Sequence, residues 1–279
     1  IKRVEINLWE NSKRKSLEGR RTGGGITAEG DMLAGLCLRY GSENSIDFSV
    51  EINKSQALEA YRSSVKMAKE RGPFGVFDYN REKDNPFVKR LGKEDPKLIE
   101  EMKQHGRRNV SLLTIAPTGT TSLMTKSTSG IEPVFLTVYK RLRIVNTNVK
   151  DSNITFLVEV GDSWEDYNVF NLNFLTWLKV NGMDPEEVKN FSDEDLQELV
   201  KRSPYYKATS NDVDWVSKVK MQGAVQKWVD HSISVTINLP NDVKEDLVGE
   251  LYVTAWKSGC KGVTVYRDGS RSGVLVGSE

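Results

Sequence analysis

The sequence predicts an α/β fold, and three stretches carry that prediction. Residues 110–115 form a short apolar run rich in β-formers, which leads through a small-residue turn into a helix-compatible stretch. Residues 232–240 alternate in the manner of a half-buried strand, and Asn241 or Asp242 then offers a cap for a helix reaching Lys257. Residues 261–266 read as a last core strand, with a turn after Tyr266. Strands alternating with helices are most simply arranged as a parallel sheet. A barrel segment is compatible with this pattern, although periodicity alone does not establish one.

The remaining elements follow in order. Residues 5–18 place Ile6, Leu8, Trp9 and Leu17 among polar residues, as in the end of an exposed helix. Arg20 to Gly25 reads as a flexible break giving a tight turn into the next helix, over residues 27–38, with Gly41 closing it. Residues 47–70 predict a long helix with Ala57, Leu58, Tyr61, Val65 and Ala68 at helical spacing, stopped by Gly72 and Pro73. Residues 78–96 are charged and turn-rich, and read as a surface loop. A short helix follows over 96–104, with Pro96 in its first turn. The basic cluster at 140–143 reads as a solvated strand end.

Residues 145–225 read as a mostly helical insertion. Its parts are a polar, turn-rich stretch at 146–153, a helix over 164–180, and a helix capped by Ser192 with Asp195 three residues on. A further helix runs over 212–229 with Trp215, Val219, Val225 and Trp228 as its face.

Composition bounds the function. The chain has 279 residues, 38% hydrophobic and 28% charged, with a net charge of +1. That is an ordinary globular balance, and no overall field favours nucleic acid or an anionic membrane. No apolar run is long enough to span a bilayer. Two distant cysteines, Cys37 and Cys260, indicate a reducing cytoplasm rather than a disulfide scaffold. With two histidines, His105 and His231, and no Cys-x-x-Cys, a protein-built metal site is not expected. His231, at a strand start, reads as a hydrogen-bonded structural residue. The N-terminus has neither a signal peptide nor a methionine, so a processed product or a segment of something longer is expected.

The stretch richest in chemistry is the turn after residue 115. Pro117 ends the strand, and Thr118, Gly119, Thr120, Thr121 and Ser122 precede a helix. Unpaired N–H groups at the positive end of a helix dipole, a glycine permitting close approach, and hydroxyl donors together make a phosphate cradle. The same spacing fits a plain helix cap without ligand, and it is not a Walker loop. Glu132, between Ile131 and Pro133, is a carboxylate able to orient that turn or a substrate hydroxyl; a solvated loop acid is the other reading.

Several motifs occur together in one order: Gly19-Arg20-Arg21-Thr22-Gly23 with Gly30-Asp31-Met32-Leu33; Lys69-Glu70-Arg71-Gly72-Pro73-Phe74; Arg108-Asn109 through Ala116-Pro117-Thr118-Gly119-Thr120-Thr121-Ser122; Ser129-Gly130-Ile131-Glu132-Pro133; Asp230-His231-Ser232-Ile233-Ser234 with Thr236-Ile237-Asn238-Leu239-Pro240; and Gly262-Val263-Thr264-Val265-Tyr266-Arg267-Asp268-Gly269-Ser270. On these the chain resembles the C-terminal part of the catalytic subunit of adenosylcobalamin-dependent (class II) ribonucleotide reductases. The resemblance implies roughly the second half of a ten-stranded α/β barrel, spanning residues 1–279 with the insertion inside it.

The resemblance further implies an oxidoreductase of DNA synthesis. Its substrate is a ribonucleoside diphosphate, held by its phosphates at Thr118 to Ser122, with Pro117 and Glu132 supporting the site. A thiyl radical generated by adenosylcobalamin abstracts the ribose 3′ hydrogen, the 2′ hydroxyl leaves as water, and a cysteine pair supplies electrons. The implied partners are the N-terminal half of the subunit, a thioredoxin-type reductant and a second copy of the chain. The family's Asn-x-Cys-x-Glu radical motif lies upstream of the matched portion, and neither Cys37 nor Cys260 has that context. Both read as structural, so no catalytic residue is expected in this segment and the isolated chain is expected to be inactive. Two alternatives stay open. One is a non-catalytic module that binds nucleotide or a partner chain. The other is a class I catalytic subunit, against which a lone Tyr266 preceded by Val265 argues, since such subunits typically end in paired tyrosines.

Overall fold

The computed structural model describes residues 2–145, 156–157 and 163–270. The first helix, α1 (Lys2–Gly19), is followed by the short α2 (Glu29–Gly35) and the long α3 (Glu43–Arg71). Ser42 caps α3 by accepting from the Ser45 N–H, and Gly72 ends it at φ 76°. Next come α4 (Tyr79–Glu82), α5 (Pro86–Glu94) and α6 (Pro96–His105). The surface loop expected over 78–96 is therefore corrected. Asn85 accepts from the Phe87 N–H, Pro86 occupies the first turn, and Phe87, Val88 and Leu91 are buried. Asp95 caps α6 in the same way, accepting from Leu98.

After the extended residues 110–115 comes α7 (Gly119–Thr125). A hairpin-like sheet follows: β1 (Val138–Val145), β2 (Phe156–Leu157) and β3 (Ser163–Phe170), antiparallel in the order β1-β3-β2, with Val138 opposite Phe170. The basic residues at 140–143 thus lie within β1 rather than at a strand end. The helix expected over 164–180 is two elements, β3 and then α8 (Leu172–Val180), which Asn171 caps by accepting from Asn173 and Phe174. Then come α9 (Pro185–Val188) and α10 (Asp193–Lys201), whose Ser192 cap accepts from Asp195 as the spacing predicted. The stretch 146–153 lies outside the described residues.

The last elements are α11 (Trp215–Gln226), β4 (Thr236–Leu239), α12 (Glu245–Lys257) and β5 (Thr264–Arg267). Lys244, not Asn241 or Asp242, holds the N-cap position of α12, without a side-chain bond. Phe170, Phe174, Leu178, Val188 and Leu196 pack together in a second core, which Ala34 and Val134 also join. That core stops short of α11. Val219 and Val225 join the main core with Tyr61, Leu91, Met102, Ile115, Ile237 and Leu251. The described part of 145–225 is therefore mixed strand and helix rather than mostly helical, and its last helix packs with the main core.

The main core is built on parallel extended segments. Gly24 bridges Leu113, Ile115 bridges Ile233, and β4 pairs β5, each in parallel. Residues 20–25 are therefore not a loose break. Gly24 donates to the Leu112 carbonyl at 2.7 Å and accepts from Thr114 at 2.8 Å. Glycine is demanded at this approach, since a Cβ on Gly25 would lie 2.0 Å from the Thr114 carbonyl oxygen. No closed sheet is present among the described residues.

Two polar side chains with little exposure, Asp230 and Arg107, fix the start of the central segment. Asp230 accepts from the Leu112 N–H and the Tyr61 hydroxyl through Oδ2, each at 2.8 Å, and from the Leu113 N–H through Oδ1 at 2.9 Å. Burial, reinforced by that carboxylate, pushes the Tyr61 phenol well above its ordinary range. Arg107 is also buried and pairs with Glu82. Its guanidinium donates to the Asn109 and Val110 carbonyls and lies over the Tyr61 and Phe74 rings, at 5.5 and 5.3 Å.

Candidate functional site

The segments 22–25 and 110–115 run in the same direction, so their C-terminal ends emerge side by side. One leads to Thr27 and the other to Thr118. The two hydroxyl oxygens lie 3.1 Å apart. The C-terminal ends of parallel strands are where α/β proteins place ligands. The loop 127–133 closes over the junction, with the Gly130 N–H donating to Thr118 Oγ1 at 2.9 Å and to Thr27 Oγ1 at 3.3 Å.

Each hydroxyl has one proton, which settles the direction of these bonds. Thr27 donates to the Thr128 carbonyl at 2.8 Å, so Thr118 is the donor to Thr27. Ser122 donates to the Gly119 carbonyl at 2.8 Å, so Ser129 is the donor in the 2.6 Å contact between the two serines. The Thr118 and Ser122 protons are thus spent inside the fold. Of the hydroxyls that sequence counted as ligand donors, Thr120 and Thr121 remain exposed, with no hydrogen bond to another described residue.

The backbone completes the turn. The first helical bond of α7 runs from the Ser122 N–H to the Thr118 carbonyl, at 2.7 Å. The N–H groups of Gly119, Thr120 and Thr121 precede it and have no intrahelical partner. A Cβ placed on Gly119 would meet nothing within 4 Å, so open space lies before the turn. No acidic residue stands in the first turn of α7. Thr118 holds φ 51°, a left-handed conformation that a β-branched residue adopts only under constraint. Ala28, beside Thr27, does the same at φ 68°. The structure thus brings Thr118 to Ser122 together as one turn, with Pro117 exposed just before it.

Glu132 stands behind the turn and is not a solvated loop acid. Its Oε1 accepts from the Thr236 N–H at 2.7 Å, and its Oε2 accepts from Lys218 Nζ at 2.6 Å. Lys218 also donates to the Thr236 carbonyl at 2.6 Å. Sequence reasoning missed Lys218, which sits on the inner face of α11 with a side chain 2% exposed. Thr27 was missed too, because its contacts lie about a hundred residues away and no local pattern marks it.

Beneath the same loop lies Glu29, on α2, 1% exposed. Neither of its carboxylate oxygens has a hydrogen-bond partner among the described residues. Burial pushes its pKa up to about 7; the neighbouring Ser49 hydroxyl opposes this weakly, and its own oxygen makes no hydrogen bond. Asp31, two residues on, accepts from the Thr128 N–H at 2.7 Å. The Tyr40 hydroxyl donates to the Ile131 carbonyl at 2.5 Å.

The cysteines and His231 make no hydrogen bond to the turn among the described residues. Cys37 is exposed just beyond α2, at φ 57°, so the helix expected over 27–38 ends before it and its structural reading is not supported by burial. Cys260 is partly buried, its thiol pushed up by burial and directed at the Val219 carbonyl 3.7 Å away. The His231 N–H donates to the Leu113 carbonyl at 2.9 Å, and its ring Nδ1 lies 3.5 Å from Arg21. Among the described residues, no group of three histidine, cysteine or acidic side chains is placed to hold a metal ion. Among the same residues, no helix is long and apolar enough to cross a membrane.

Comparison with known proteins gives a consistent result. The family described as "Ribonucleotide reductase, barrel domain" matches residues 3–266. A vitamin B12-dependent ribonucleoside-diphosphate reductase of Mycobacterium tuberculosis is 30% identical over 261 residues, covering 93% of this chain and 33% of that protein. A ribonucleoside-diphosphate reductase subunit alpha of Helicobacter pylori is 26% identical, covering 96% of this chain and 31% of that protein. This chain therefore spans about a third of the length of these relatives. Among solved structures, the class Id ribonucleotide reductase alpha subunit of Actinobacillus ureae superposes with a TM-score of 0.62, at 18% identity. That match covers 91% of this chain and 40% of the other.

Proposed function

The chain belongs to the ribonucleotide reductase barrel-domain family, and on that premise we propose that it supplies the substrate-phosphate part of a ribonucleoside-diphosphate reductase catalytic subunit. The observation that carries this reading is the open turn at residues 118–122, set at the C-terminal ends of parallel segments inside a family match that runs nearly the whole chain. The N–H groups of Gly119 to Thr121 and the free hydroxyls of Thr120 and Thr121 would receive the phosphates. Thr118, Ser122 and Glu132 would hold the turn in shape. The parallel segments would be roughly the second half of a ten-stranded barrel, completed by the upstream part of the subunit.

The reaction proposed for the complete enzyme replaces the ribose 2′ hydroxyl with hydrogen. A thiyl radical and a redox cysteine pair are needed, and neither role is assigned to Cys37 or Cys260, which lack the family's cysteine contexts. Both roles are assigned to the rest of the subunit, with a thioredoxin-type protein as reductant. Relatives named as vitamin B12-dependent support adenosylcobalamin as the radical source. When bound, that cofactor supplies the first radical. Relatives named subunit alpha support a second reading, a class I subunit served by a separate radical generator.

The test is Thr120→Asp in the complete reductase. A carboxylate set among the phosphate oxygens is expected to weaken ribonucleoside diphosphate affinity by about tenfold or more. Thr120 is exposed, so folding is expected to be untouched. Wild-type affinity in this variant would refute the phosphate assignment.

A further inference from the structure

We propose that Lys218 is a positioning residue for the phosphate turn, acting through Glu132 from the far side of the loop. The proposal rests on the phosphate reading above and extends it to a residue on another element. A lysine ammonium almost never sits in a core without an anionic partner, because desolvation is too costly. Lys218 sits there with one carboxylate, Glu132, and one carbonyl, that of Thr236. Glu132 completes the knot by accepting from the Thr236 N–H. Three elements meet at this point: α11, β4 and the loop 127–133.

The loop transmits the restraint. Gly130, two residues before Glu132, donates its N–H to both Thr118 and Thr27. Gly130 is itself tightly seated at φ 50°, where a Cβ would lie 3.1 Å from Ile115 and 3.2 Å from the Ala116 carbonyl. Ser129, one residue further back, donates to Ser122 at the other end of the turn. Fixing Glu132 thus fixes the groups that hold Thr118 in its left-handed conformation. Without Lys218, the Glu132 carboxylate loses the stronger of its two donors and is drawn toward solvent, to which its side chain is already 23% exposed. The turn would then drift by a fraction of an ångström, which is enough to weaken binding of a rigidly held group.

The experiment uses the complete reductase that contains this segment, with cytidine diphosphate and triphosphate as probes. Lys218→Met is expected to raise KM by about tenfold while kcat stays within about twofold. It is also expected to lower Tm, because Glu132 is left half-buried without its cation. The double variant Lys218→Met/Glu132→Gln removes both charges. Its Tm is expected to recover while its KM stays raised, which a merely structural role would not produce. Should the single variant fail to fold, the double variant alone decides, by the same KM. An unchanged KM in Lys218→Met, or recovery of KM together with Tm in the double variant, overturns the proposal. Wild-type reductase without affinity for either probe overturns the phosphate reading and this inference with it.

Discussion

Replacing Glu29 with glutamine should change how stability depends on pH. In the fold Glu29 is 1% exposed and has no donor for either carboxylate oxygen among the described residues, and burial pushes its pKa up to about 7. In the unfolded chain it returns to the ordinary value of 4.5. Between these values the folded state binds the proton more tightly, so stability falls as pH rises from about 4.5 to about 7 and stays low above that. The gap of 2.5 units (7 minus 4.5) corresponds to about 3 kcal/mol at most.

Glutamine is close in size and does not ionise, so Glu29→Gln should remove that slope. At low pH both proteins bury a neutral polar group without a partner and should be similar in stability. Above neutrality the variant should gain about 3 kcal/mol over the parent, or about 6–10 °C in Tm. Denaturant titration of both proteins at about pH 5, about pH 7 and about pH 9 provides the measurement. Parallel pH profiles, or an equal gain at every pH, would refute the burial argument.

Two further substitutions probe the scaffold. Gly25→Ala drives a Cβ into the Thr114 carbonyl oxygen and should cost more than about 3 kcal/mol, whereas Gly119→Ala meets no protein atom and should leave Tm within about 1 °C. Equal melting of the two would mean the Gly25 approach is looser than described. Asp230→Ala strips the acceptor from the Leu112 and Leu113 N–H groups and the Tyr61 hydroxyl together, and should destabilise by about 3–5 kcal/mol in urea titration. A loss below about 1 kcal/mol would show that water replaces the carboxylate there.

What the sequence revealed depended on how local each signal was. The buried run at 110–115 and its small-residue turn were legible because composition and a terminating proline mark them within a few residues, although the run makes isolated parallel bridges rather than the full strand expected. The Ser192 cap was legible for the same reason. Residues 86–94 were not, because a polar surface and turn-forming Asp84 and Asn85 resemble a loop; only packing reveals that Phe87, Val88 and Leu91 share a buried face. The strand β3 reads equally well as a helix start, and its partner β1 decides the matter. Gly23 to Gly25 lack side chains, so nothing but the neighbouring segment shows that they are extended. Lys218 carries no local signal, since its partner Glu132 lies 86 residues away.

The bonds among Thr27, Thr118, Ser122 and Ser129 have one further consequence. Their protons are assigned during folding, and each points into the protein rather than into the space before Gly119. The turn is therefore partly preorganised electrostatically: the backbone N–H groups that would face an anion are already oriented, and only the Thr120 and Thr121 hydroxyls have to turn on arrival. Such a surface responds to charge and shape and gives little purchase for reading a base or sugar. Discrimination among nucleotides would then have to arise elsewhere, and side-chain changes within the turn would alter how tightly it holds an anion more than which one it prefers.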